Sequence, residues 1–139
     1  MTPEALAELH ALCFTVPRPF SVRDFTQFLT SDLCFLIGDA RGFALGQVAV
    51  DEVELLTLAV HPDHRRAGLG RNLLRTFETE AFTRGAHDVF LEVSAENPGA
   101  RRLYDTAGYR TSGARPGYYR TPGGGRIDAI LMTKPLIGP

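Results

Sequence analysis

The sequence predicts an α/β sandwich: a mixed, mostly antiparallel sheet flanked by helices on both faces, in one domain spanning residues 1–139. Three observations carry this prediction. Helix-spaced and strand-like apolar stretches follow one another in the order α-α-β-β-β-α-β-α-β-β. The three consecutive strand-like runs are separated by links short enough to require antiparallel hairpins. The third run ends in a glycine-containing loop that opens a long amphipathic helix, after which strand and helix alternate.

Leu6, Leu9, Leu12 and Cys13 recur at helical spacing after Thr2-Pro3, which predicts a helix from Pro3 to Phe14; Pro17 and Pro19 stop it. Ser21 is a good cap for a second helix to about Thr30, with Val22, Phe25, Phe28 and Leu29 as its apolar stripe. Strands are expected at Leu33 to Gly38, Phe43 to Val50 and Val53 to Val60. Leu69, Leu73, Leu74, Phe77 and Ala81 then mark the buried face of a helix that runs to about Arg84 and stops at Gly85. Val89 to Ser94 reads as a strand, and Asn97-Pro98 starts a helix whose apolar side is Ala100, Leu103, Tyr104 and Ala107. The last two strands are expected at about Tyr109 to Ala114 and Arg126 to Lys134, joined by a loop containing Gly117, Pro122 and Gly123 to Gly125.

Composition sets limits on function. The 15 basic and 16 acidic residues give a formal net charge of -1, so no global field draws the chain to nucleic acid or to a membrane. Cys13 and Cys34 match no metal or redox spacing, and Met1-Thr2-Pro3-Glu4 lacks a basic stretch followed by an apolar one. A cytoplasmic protein with free thiols is expected. His61 and His64 form a His-x-x-His pair for which no third ligand is evident, so no metal is expected.

The most informative stretch is Arg65-Arg66-Ala67-Gly68-Leu69-Gly70, lying between Leu58-Ala59-Val60 and a helix. Glycines at such a junction let a ligand approach the backbone, and the orphan N–H groups of the new helix point at it. Together with the helix dipole and Arg65, Arg66, Arg71 and Arg75, they predict an anion site, with a pyrophosphate as the obvious guest. The stretch fits neither a P-loop nor a dinucleotide fingerprint, since it lacks Gly-Lys-Ser/Thr and has Leu73 where a third glycine is required.

Arg-x-x-Gly-x-Gly preceded by Leu-Ala-Val-His-Pro resembles the acetyl-CoA loop of the GNAT superfamily of N-acetyltransferases, and the element order is similar to that fold over nearly the whole chain. It departs at the start, where the family usually has a strand before the first helix. Within the superfamily, Leu91-Glu92-Val93, Asn97, Leu103-Tyr104, Gly108-Tyr109, Gly117-Tyr118-Tyr119 and Gly125 to Met132 resemble the bacterial ribosomal-protein alanine N-acetyltransferases, the RimI type. The resemblance implies Glu92 as general base, Tyr104 as general acid and Asn97 as a cofactor contact. It also implies acetyl-CoA as co-substrate, bound by Arg65, Arg66, Ala67, Gly68, Leu69, Gly70 and Arg71, with its pantetheine beside Leu58, Ala59 and Val60, and a protein N-terminus as acceptor. The family commonly has an acidic residue before Asp-Ala; this chain has Ile127.

The residues themselves leave alternatives open. Glu92 on a central strand would be a carboxylate among apolar groups, its pKa raised towards the range of a base, but at the open end of that strand it would be solvated. The spacing of Tyr104 with Ala100, Leu103 and Ala107 is also that of simple core packing. Asn97 is a natural helix cap. Tyr118 and Tyr119 could clamp a peptide N-terminus or pack at a strand end. The same cofactor loop would serve an enzyme acetylating lysine or a small amine, or an acyl-CoA-binding module without turnover.

Overall fold

The computed structural model describes residues 1–137. Its elements are α1 (Pro3–Cys13), α2 (Val22–Thr30), β1 (Cys34–Asp39), β2 (Gly42–Ala49), β3 (Glu52–Val60), a single 3-10 turn (Pro62–His64), α3 (Leu69–Thr83), β4 (Asp88–Ser94), α4 (Pro98–Thr106), β5 (Arg110–Arg120) and β6 (Arg126–Pro135). The expected order holds, and most boundaries fall within about one residue. Local chemistry explains three of the four helix starts. Thr2, Ser21 and Asn97 each accept a first-turn N–H with the side chain, and Ser21 with Asp24 forms a reciprocal capping box.

The six strands form one sheet in the order β1-β2-β3-β4-β6-β5. Every pairing is antiparallel except β3 with β4, which the long crossover through α3 makes parallel. That parallel pairing covers Glu52 with Asp88, Val53 with Val89 and Glu54 with Phe90, and then stops. Beyond Glu54 the two strands part.

Each face of the sheet has its own core. On one side Val53, Leu55, Leu74, Phe77, Val89, Leu91, Tyr104 and Tyr109 pack together under α3 and α4. On the other, Leu6, Leu9, Phe25, Phe43, Leu45 and Ala59 pack against α1 and α2. A bulge lies within β3, because Leu45 pairs with Thr57 while Gly46 pairs with Leu55, leaving Leu56 as the extra residue. Leu56 and Thr57 therefore both turn to the α1/α2 side, where Thr57 meets His10, and Leu58 returns to the first core. Gly46 is required at this point: a Cβ there would lie 2.5 Å from Phe77 and 2.9 Å from Phe35, whose stacked rings cover the bulge.

The largest departure from expectation is β5, which runs to Arg120 instead of ending near Ala114, so that Tyr118 and Tyr119 lie on a strand and not in a loop. Pro116 and Gly117 are absorbed as an irregularity in register between Arg115 and Tyr119. Gly117 takes a φ of 59° there and donates its N–H to Asp128 Oδ1 at 2.7 Å, replacing the lost ladder bond. The connecting turn shrinks to Thr121–Gly125, closed by hydrogen bonds between its two ends.

Candidate active site

The parting of β3 from β4 opens a cavity of about 510 Å³. One wall is β3 from Leu55 to Val60 and the other is β4 from Leu91 to Ser94; α4 and the loop before α3 close its ends. Backbone groups on the facing edges of the two strands have no partner across the gap after Glu54, so the cavity is lined by main-chain donors and acceptors as well as side chains. Those are groups on which an extended, amide-containing ligand can hydrogen-bond.

At the α3 end lies the loop from which an anion site is expected. Arg66 and Gly68 both have left-handed backbone, at φ 65° and 80°, which curls the loop over the start of the helix. α3 has no side-chain cap, in contrast to α1, α2 and α4, and no acidic residue in its first turn, in contrast to α1 and α2. Its first amides therefore have no side-chain acceptor, the arrangement in which a helix start can take an anion. A Cβ on Gly68 would meet nothing within 4 Å, and one on Gly70 would only touch Leu103 and Val60, so the glycines leave open space beside the amides. Arg65 is anchored by a bond from Nε to the Val60 carbonyl at 3.0 Å. Arg65, Arg66, Gly68, Leu69, Gly70 and Arg71 line the cavity. Leu58, Ala59, Val60 and Asn97 line it as well, and Asn97 also caps α4 by accepting the Ala100 N–H at 3.2 Å. Ala67 does not line the cavity, and Arg75 faces a separate groove near Lys134.

At the other end the structure brings Glu92 and Tyr104 to the same cavity from opposite faces of the sheet. Tyr104 belongs to the core under α3 and α4, its ring packed edge-on against Tyr109, and only 6% of it is exposed. Burial pushes its phenol above the ordinary value, so it keeps its proton at neutral pH. Glu92 alternates with the core residues Leu91 and Val93 and so faces the α1/α2 side.

The expectation of a carboxylate among apolar groups is corrected here: the Glu92 side chain is 25% exposed and its Oε1 lies 3.3 Å from Arg115 Nε. Arg115 reaches it from β5 across β6, over the small side chain of Ala129, which is in register with both Arg115 and Ser94. The guanidinium of Arg115 also lies over the Tyr118 ring. Tyr118 and Tyr119 do not line the cavity itself; they flank its Glu92 mouth. The Tyr119 phenol is pushed up to about 12, first by burial and then by the negative charge of Glu92.

The sequence reading missed Glu54. It stands on β3 at the last parallel pair before the strands part, on the same face as Glu92. Burial, and then the charge of Glu92, hold its carboxyl above the usual carboxylate range. The signal was its place in β3, a carboxylate within a run whose neighbours Val53, Leu55 and Leu56 are all apolar. Cys13 is the other revision. It lines the cavity and donates its thiol to the Val60 carbonyl at 3.3 Å, although its sequence position gave no such indication. Among the described residues no group of three metal-ligating side chains converges, and His61 is used locally, accepting the Asp63 N–H.

A sheet that parts beside an uncapped, arginine-rich helix start defines a class. The chain belongs to the acetyltransferase (GNAT) family, whose sequence profile matches residues 4–109. It is 42% identical to the ribosomal protein bS18-alanine N-acetyltransferase of Escherichia coli K12 over 99 residues, 71% of this chain and 66% of that protein. The match thus spans just under two thirds of that relative's length. The N-alpha-acetyltransferase RimI of Mycobacterium tuberculosis is 34% identical, with 92% of this chain and 83% of that protein covered. In three dimensions the chain superposes on the crystal structure of the Escherichia coli ribosomal-protein-S18-alanine N-acetyltransferase with a TM-score of 0.84 at 32% identity, covering 96% of this chain and 87% of that one. Arabidopsis thaliana NAA60 in complex with acetyl-CoA has the same fold, with a TM-score of 0.83 at 18% identity over 97% of this chain and 93% of its own.

Proposed function

We propose that this chain is an acetyl-CoA-dependent N-acetyltransferase acting on the N-terminal α-amine of a protein, specifically a ribosomal protein that begins with alanine. The observation that carries the reading is a single opening in the sheet that joins an anion-binding helix start to a carboxylate and a buried phenol. The names of the relatives support the acceptor, and a neighbour of the same fold crystallised with acetyl-CoA supports the donor. The cavity fits such a donor: it has main-chain partners for amides along β3 and uncapped amides with arginines for phosphates. No helix among the described residues is long and apolar enough to cross a membrane. The proposed acceptor would place the enzyme in the cytoplasm.

When bound, acetyl-CoA supplies an acyl group activated as a thioester. Gly68, Leu69 and Gly70 present amides to its pyrophosphate, and Arg65, Arg66 and Arg71 add charge. Glu92, from the α1/α2 face, takes the proton that an α-ammonium must lose before its nitrogen can attack. Tyr104, from the opposite face, holds a proton on Oη for the sulfur as the carbon–sulfur bond breaks. The two substrates thus approach from opposite sides of one sheet. Tyr118, Tyr119 and Arg115 border the acceptor's entrance. An α-amine, with an ordinary pKa of about 7.7 to 8.0, asks less of a single carboxylate than a lysine at about 10.4.

The test is a competition among three acceptors: an Ala-initiated peptide, the same peptide N-terminally blocked with an internal Lys free, and a polyamine. The Ala-initiated peptide is expected to have the highest kcat/KM. If either competitor wins, the acceptor assignment fails while acetyl transfer stands, and absence of transfer to any amine leaves an acyl-CoA-binding module.

A further inference from the structure

His10 is a buried ionisable side chain that this chemistry leaves unused. It lies on α1 among the rings of Phe14, Phe20, Phe25 and Phe43, and both of its nitrogens are engaged. Nδ1 accepts the Phe20 N–H at 2.9 Å, and Nε2 lies 2.8 Å from Thr57 Oγ1. A backbone N–H can only donate, so Nδ1 carries no proton. In the neutral imidazole the proton is then on Nε2, which makes His10 the donor and the Thr57 hydroxyl the acceptor. The tautomer is dictated by the main chain.

The consequence falls on Thr57. Its oxygen receives the His10 proton, so its own proton must point elsewhere, and among the described residues His10 is its only hydrogen-bond partner. Thr57 sits beside the β3 bulge, is 9% exposed, and lines the cavity between Leu56 and Leu58, with Glu92 and Val93 on the facing strand. A buried hydroxyl whose proton is not taken up within the protein, on a residue that lines a cavity, is available to donate to an oxygen there.

We infer that Thr57 is a further catalytic residue, its hydroxyl donating to the carbonyl oxygen of the bound acyl thioester, and that His10 is the positioning residue that aims it. This rests on the acetyl-transfer reading above. The oxygen gains negative charge as the amine nitrogen bonds to its carbon, so a donor held in place by a buried His–Thr pair needs no reorganisation at that moment. His10 also ties the α1–α2 connection, through Phe20, to the strand that carries the donor.

The test uses the full chain and three variants. Thr57→Val keeps the shape and removes the hydroxyl; it is expected to lower kcat about tenfold or more, with Thr57→Ser restoring most of the loss. Binding is read separately by calorimetry with acetyl-CoA and with S-ethyl-CoA, a thioether that has no carbonyl. The wild type is expected to prefer acetyl-CoA, and Thr57→Val to lose that preference while binding S-ethyl-CoA as before. His10→Asn keeps an acceptor for Phe20 but cannot reach Thr57; it should lower kcat alone and add nothing on top of Thr57→Val, whereas a purely structural His10 would add its full effect. Wild-type turnover in Thr57→Val, or equal loss of both ligands, overturns the proposal and leaves acetyl transfer intact. Failure of the wild type to bind either ligand overturns both.

Discussion

At the scale of single residues the site holds more charge than a proton acceptor and a donor require. Glu92 already forms an ion pair with Arg115, and in the proposed reaction an arriving ammonium would compete for the same carboxylate. Glu54 stands one turn of the strand alternation away, half-buried and held towards its protonated form. Substitution separates the two carboxylates. Glu92→Gln is expected to lower turnover about 100-fold with acetyl-CoA affinity unchanged, and Glu54→Gln to lower it less than about tenfold. The reverse order in single-turnover kinetics would make Glu54 the base. Tyr104→Phe keeps the packing against Tyr109 and removes the proton, so kcat should fall about 100-fold while the acetyl-CoA dissociation constant stays within about twofold. Turnover unchanged under chemistry-limited conditions would reduce Tyr104 to a core residue. These particular residues show how far the sequence could be read. Glu92 and Tyr104 were singled out because Leu91-Glu92-Val93 and Leu103-Tyr104 are contiguous motifs that resemble the RimI type; strand alternation and helical spacing alone left a solvated strand end and core packing open. Arg115 and Thr57 were not, because what distinguishes them is a partner two strands away or 47 positions earlier in the chain.

At the scale of elements the same contrast recurs. α3 and its loop were legible because everything that defines them is contiguous: a strand, two glycines, arginines and a helix without a cap. β5 was misread because Pro116 and Gly117 break a strand in most settings, and only the carboxylate of Asp128, on the partner strand, lets the ladder resume. The uncapped start of α3 gives a direct test. Gly70→Val should weaken acetyl-CoA binding about tenfold or more by calorimetry, since its Cβ fits against Leu103 but the γ-methyls enter the cavity. The melting temperature should barely change. Gly46→Ala is expected to do the opposite, lowering stability by about 1 to 3 kcal/mol in urea titration through its contact with Phe77 and Phe35.

At the scale of the whole molecule the stability of the fold is tied to pH through His10. Burial holds its pKa at about 4, below the ordinary 6.5, so the folded state prefers the neutral ring. The unfolded chain then binds the extra proton first: stability is complete above pH 6.5 and falls as the pH drops from there to about 4, by roughly 3 kcal/mol in total. Urea titrations at pH 7 and pH 4.5 should show this loss, and His10→Asn should flatten it. A slope unchanged by the substitution would place the proton elsewhere.

The three-pair join between β3 and β4 makes the sheet two leaves on a short spine. One leaf carries β1, β2 and β3, the other β4, β6 and β5, and beyond Glu54 no main-chain bond stitches them together. A ligand lying in the gap would supply the missing stitches, so occupancy becomes a mechanical property of the fold and not only a local event. Amides from Leu56 to Val60 and from Leu91 to Ser94 should exchange with solvent faster than those of the outer strands, and saturating acetyl-CoA should slow both edges together.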